Sequence, residues 1–242
     1  MNLVVMDLTL SGLLGRRRSL LLVALPVVLL GLAALTRWAS GGSTGATASL
    51  MGNFAMGTVL PLTCLLVGTG VIAPEIDDGS IVYLLAKPVP RSSILLSKLA
   101  VALSATVVFA VLPIMAAAAI AGDEQLRLTQ AYGLAALLAV ICYTSLFVAL
   151  SVLTRNAVIV GLLYALLWEA VIGGYVPGVR DVSVRQWALA PAEALLGDRA
   201  AAWGVTSAVN VPVGLTLLAV VTVGAAWLGI RKLGGLRLTT AD

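Results

Sequence analysis

The chain has 242 residues, 60% of them hydrophobic and only 11% charged, with a net charge of +4 and a mean hydropathy of +1.07. A soluble domain carries about 25% charged residues, so no single water-facing fold would hide this composition, and the sequence reads as an integral membrane protein. The cations form no tract that would grip nucleic acid, no His is present to act as base or metal ligand, and Cys64 and Cys142 both fall in apolar runs, where packing is their expected role.

Residues 3–14 are apolar but too few to span, and they stop at Gly15 before Arg16, Arg17 and Arg18. We read them as a helix lying on the inner membrane face, with its basic end among anionic headgroups; the other reading is a disordered tail. The first span is expected at 19–36. The arginines before it, with Trp38-Ala39-Ser40 after it, imitate a signal peptide. The apolar stretch ahead of the arginines, and the odd number of spans that cleavage would leave, favour a retained helix. Residues 40–49 (SGGSTGATAS) have the composition of a flexible external loop.

The second span is expected at 51–73. About 20 residues at about 1.5 Å each cross about 30 Å of hydrocarbon, and Pro61 predicts a kink within this span. A polar stretch, 73–98, follows: Glu75, Asp77 and Asp78, then Gly79, a short apolar run, and a basic turn through Lys87, Pro88, Pro90 and Arg91. Ser92 and Ser93 are candidate caps for the next helix. An acidic turn, a short helix and a basic turn make a compact knob, suited to docking on a soluble partner.

The third span, 94–121, contains Pro113 and is unusually long. Residues 122–130 form a short loop, and 131–153 the fourth span. The tight turn Thr154-Arg155-Asn156 makes the fourth and fifth spans antiparallel neighbours, the fifth running over 157–176. Within the outer segment 177–204, residues 184–196 suggest an interfacial or re-entrant helix pair broken at Pro191. The sixth span is expected at 208–230. With both ends inside, ten Lys and Arg fall on the inner side and five on the outer, which sets the termini in the cytoplasm. Trp38, Trp203 and Trp227 lie near predicted helix ends, as in an aromatic belt.

Glu169 is the only acid predicted within a span. An ionised group costs about 2.5–3.5 kcal/mol at mid-membrane on insertion scales. It is therefore a candidate intramembrane polar site, in a transport path or a dimer interface; the alternative is that it lies near enough to the outer surface to reach water. Asn53, Thr63, Thr106 and Asn210 are further candidates for a polar cavity. The many small residues permit close helix packing but assign no particular interface.

No GxxxxGK[ST] loop, HExxH or CxxC is present, so the chain does not bind ATP in the P-loop manner, and hydrolytic or redox chemistry is disfavoured. The order Glu75, Gly79, Leu84-Leu85, Pro88, Arg91 and Ile94-Leu95-Leu96-Ser97-Lys98, between the second and third of six spans, resembles the ABC-2 type permease family. The tight 154–156 turn and the outer 177–204 segment match that family's layout. Ser80-Ile81 departs from the usual Thr-Leu, and Pro90 stands where Ser is common.

The resemblance implies an all-α membrane protein of six transmembrane helices, forming a single transmembrane domain. It implies an exporter's permease subunit, paired with a like or related subunit and with two copies of a separate ATPase. ATP and Mg would be bound by that partner, and this chain would hold no cofactor, metal or catalytic residue. Glu75, Asp77, Asp78, Gly79, Pro88 and Arg91 would form a coupling helix and its flanks against the ATPase. The expected setting is a bacterial plasma membrane. Two other readings fit the composition: an ATPase-independent secondary transporter or channel, and a membrane anchor that recruits a cytoplasmic regulator. The substrate is not legible.

Overall fold

The structure, a computed structural model, describes residues 16–72, 91–122, 126–172 and 180–235. Among these residues every regular element is helical. Helix α1 covers Arg16–Ser40 and α2 covers Thr44–Gly70. Helix α3 covers 91–121, α4 Leu126–Leu153 and α5 157–172. Helix α6, Val184–Leu196, precedes α7, Val211–Gly235. Among the described residues five helices are long and apolar enough to cross a membrane: α1, α2, α3, α4 and α7. The expected fifth span is represented by the shorter α5. The N-terminal interfacial helix and the coupling helix of the sequence reading lie outside the described residues.

Prolines set the winding of two helices. Proline has no N–H, and its ring clashes with the carbonyl four residues back. Pro61 and Pro113 each fall one residue inside an α-helical stretch that follows a wider π-helical one, Ser49–Val59 in α2 and Val107–Val111 in α3. At these junctions the N–H of Leu60 donates to the Ala55 carbonyl and that of Leu112 to Val107, each five residues back. The longer register keeps the backbone bonded where lipid offers no alternative partner. Helix α5 is also π-wound, over Tyr164–Ile172.

Several boundaries differ from the sequence expectation. The loop assigned to 40–49 is only a turn: Gly41 and Gly42 adopt φ of +61° and +80°, and α2 is already under way at Thr44. Much of the stretch stays exposed, but Thr47 is buried and its Oγ1 donates 2.9 Å to the Ala121 carbonyl. Ser92 and Ser93 lie within the first turn of a helix that includes Arg91, rather than capping it. Helix α6 runs unbroken through Pro191. Trp203 is buried rather than belted at the surface, whereas Trp38 and Trp227 are exposed.

Helix α4 is the central post. It packs against α2, α3, α5, α6 and α7, while α1 lies along α2 and the second half of α3. Two cores result. The larger gathers Met51, Leu60, Ile114, Tyr132, Tyr143, Phe147 and residues of α6. The smaller gathers Leu22, Val71, Ile72, Leu95, Val152 and Leu233. The smaller core marks one end of the bundle, here called proximal, at which the starts of α1 and α3 and the ends of α2, α4 and α7 meet. The opposite, distal end joins the 41–48 turn, Ala121–Gly122 and the 197–205 segment; there a Cβ on Gly204 would lie 2.8 Å from Ala48 Cβ, and Tyr132 Oη donates 2.8 Å to the Trp203 carbonyl.

Candidate functional site

At the distal end, chain segment 180–209 folds back onto the bundle. Its irregular backbone is satisfied by its own side chains, as burial without water requires. Gln186 accepts the Ala208 N–H through Oε1 at 3.1 Å, and Glu193 accepts the Ser207 N–H at 2.7 Å. Ser207 Oγ donates 2.8 Å to the Gln186 carbonyl, and Trp187 Nε1 donates 2.6 Å to that of Asp181. Helix α6 is thereby held against α4 and α7, with Gly214 close under Trp187: a Cβ there would come within 2.8 Å of the Trp187 carbonyl oxygen.

Glu169 anchors this cap. It is fully buried, so it does not reach water. Its Oε1 accepts from Tyr164 Oη at 2.9 Å and from the Val184 N–H at 3.0 Å, and its Oε2 accepts from Ser183 Oγ at 2.6 Å. The Tyr164 contact follows from the π winding of α5, whose ladder relates residues five apart. Val184 opens α6, whose first N–H groups have no helical acceptor. The carboxylate therefore closes a helix N-terminus, where its charge is also favoured by the helix dipole. Tyr143 Oη, on α4 in the same region, is buried with no hydrogen-bond partner, and its ring packs at 6.5 Å edge-on to Tyr164.

Next to Glu169 lies Arg185. Only 8% of its surface is exposed, and Nη2 donates 3.2 Å to Asn53 Oδ1 on α2. The guanidinium fits because position 57 is glycine: a Cβ there would come within 2.9 Å of Arg185 Nη1. Burial lowers the Arg185 pKa from the usual guanidinium range; the charge of Glu169 opposes this and that of Arg180 adds to it. Arg185, Arg180, Asn53, Gln186 and Thr206 wall a mainly polar cavity of about 230 Å³. Of the polar residues singled out in the sequence, Asn53 lines this cavity. Thr63 and Thr106 instead bond back to the carbonyls of Val59 and Ala102 on their own helices, and Asn210 is exposed.

At the proximal end the structure reaches both flanks of the 73–90 segment. Glu75, Asp77, Asp78, Gly79 and Pro88 lie outside the described residues, as does the side chain of Arg91. Lys98 is 2% exposed and donates 2.8 Å from Nζ to the Val71 carbonyl. It thus ties the end of α2 to α3 across the segment. In the sequence Lys98 closes the motif that resembles the family and Arg185 is one of the outer-side cations, and neither is singled out as a buried group. The available signal was that each is a lone cation inside an apolar run.

A sequence model of the ABC-2 family transporter protein matches residues 15–175, from α1 through α5. The chain belongs to this family. Comparison with curated proteins gives no match. As an ABC-2 family protein it is a membrane-embedded permease subunit of an ABC transporter, a type of subunit that is generally non-catalytic. Membership implies an ABC ATPase partner and dimerisation. The match covers α2 with Asn53 and Gly57, and α5 with Glu169, but stops before Arg180, Arg185 and the rest of the distal cap.

Proposed function

We propose that this ABC-2 family chain is the membrane half of an exporter, moving its substrate by alternating access between two such subunits. Two copies of a separate ATPase, which bind Mg and ATP, drive the cycle. The proximal end faces the cytoplasm and carries both termini, and the setting is a bacterial plasma membrane. Residues Glu75, Asp77, Asp78, Gly79, Pro88 and Arg91 form the coupling interface. Charges on such a knob set its encounter and register in the ATPase groove more than its raw affinity.

The observation that supports this reading best is the bedding of the two helices that flank 73–90. Val71 and Ile72 on one side, and Leu95, Leu99 and Ala102 on the other, share the proximal core, and Lys98 bonds the Val71 carbonyl across the gap. A push on the intervening segment is thereby delivered to α2 and α3 together. Packed elements of this kind move as bodies, by hinge or shear, rather than deforming continuously.

Reversing the charge at Glu75 (Glu75→Lys) tests the interface. Membrane levels of the chain stay normal, while the ATPase retained on purification falls at least tenfold. Normal retention of the ATPase by the variant would refute the coupling role. Sidedness is checked by a cysteine introduced at position 78, which reacts with an impermeant thiol reagent only from the cytoplasmic face; labelling from outside would invert the proposed orientation.

A further inference from the structure

The distal cavity has the chemistry of a binding site that family membership does not assign. Its cationic wall comes from Arg180 and Arg185, both beyond the matched residues. No carboxylate among the described residues lines it. The nearby acid, Glu169, has its oxygens committed to Tyr164, Ser183 and the Val184 N–H.

Arg185 is more than nine-tenths buried, yet among the described residues the acceptor it reaches is a neutral amide, Asn53 Oδ1, and its Nε has no hydrogen-bond partner. Buried charges are ordinarily paired, because removing an ion from water costs several kcal/mol. A guanidinium beside a polar cavity, backed by a second Arg, is the arrangement that receives an oxyanion through its planar fork of donors. Gln186 and Thr206 add neutral groups that accept or donate as the ligand requires. The size narrows the ligand: drug-sized molecules occupy about 300–1,000 Å³, and about 230 Å³ suits a headgroup-sized group.

We infer that the distal cavity binds a phosphate group, held between Arg180 and Arg185. Two sources share this chemistry, the headgroup of an anionic phospholipid and a water-soluble phosphate. The inference goes beyond the exporter reading. It needs neither the ATPase nor a coupled cycle, so its failure leaves that reading standing.

The test uses the full chain in nanodiscs of phosphatidylcholine. In one arm inorganic phosphate is titrated while tryptophan fluorescence is followed, with Trp187 on α6 as the reporter. In the other, discs containing phosphatidylglycerol are examined by native mass spectrometry for retained anionic lipid. Saturable binding in either arm is expected, weakened at least tenfold in Arg180→Gln and in Arg185→Gln. A response to inorganic phosphate identifies a soluble ligand, and retention of phosphatidylglycerol alone identifies the lipid headgroup; either supports the site. Arg180 is at the exposed rim, so Arg180→Gln decides the matter even if Arg185→Gln fails to fold. No saturable binding in either arm, or unchanged binding in Arg180→Gln, overturns the inference.

Discussion

Glu169 is a fully buried acid on a helix expected to cross the membrane. Placing its charge in a span costs about 2.5–3.5 kcal/mol on insertion scales, and a hydrogen bond to a charged group returns about 1.5–3 kcal/mol. Three such bonds, one from the opening N–H of α6, offset that cost and fix the distal cap to α5. Glu169→Gln turns one acceptor oxygen into an amide NH2 that faces donors. It should lower stability by about 1–3 kcal/mol, read as a lower unfolding midpoint of the detergent-purified chain. Tyr164→Phe, which removes one donor of three, should cost less. Equal midpoints for wild type and both variants would deny the carboxylate its anchoring role. A lone acid in an apolar run was visible in the sequence, but its partners were not. Ser183 and Val184 lie 14 and 15 residues further on, and only the fold-back of α6 brings them together. Arg185 was hidden for the same reason, since what buries it is Gly57 and Asn53 on a helix far away in sequence.

The helices themselves are legible from hydropathy, because lipid leaves the backbone little choice but to bond within each span. Their winding is less so. Pro61 and Pro113 mark where the irregularity ends, yet a proline in sequence announces a kink rather than a run of wide turns before it. Small residues were equally ambiguous until placed. At Gly68 on α2 a Cβ would lie 2.8 Å from Phe147 Cβ and 3.3 Å from the Val148 nitrogen, both near-rigid parts of α4. Gly68→Ala should therefore force the two helices apart and cost about 1–3 kcal/mol. Gly31→Ala on α1, where nothing lies within 4 Å, should leave the midpoint unchanged or raise it slightly, since Ala is the better helix former. Indistinguishable thermal shifts for the two variants would mean that α2 and α4 are not packed as described.

On the scale of the whole molecule, the two ends are built for different work. The distal end is stitched by polar groups, and the proximal end is gathered around an apolar core beside which Lys98 is buried. Lys98→Met should change stability little, because removing a buried ammonium recovers desolvation energy while forfeiting its bond to the Val71 carbonyl. Under the exporter reading it should nonetheless lower permease-stimulated ATP hydrolysis in the reconstituted complex at least tenfold, and normal stimulation would show that α2 and α3 need no such tie. The outline of the spans could be drawn from hydropathy alone. Which span would be central could not, because all are comparably apolar. That position falls to α4, which packs against α2, α3, α5, α6 and α7; its apolar window and that of α2 are each 67% buried, against 22% for α1 and 17% for α7. Ribosomes deliver α4 after three other spans. The earlier helices must therefore wait in lipid without the pillar they close around, and the distal cap cannot settle until translation has passed Trp203. Assembly of this protein is in consequence a late event of its biosynthesis.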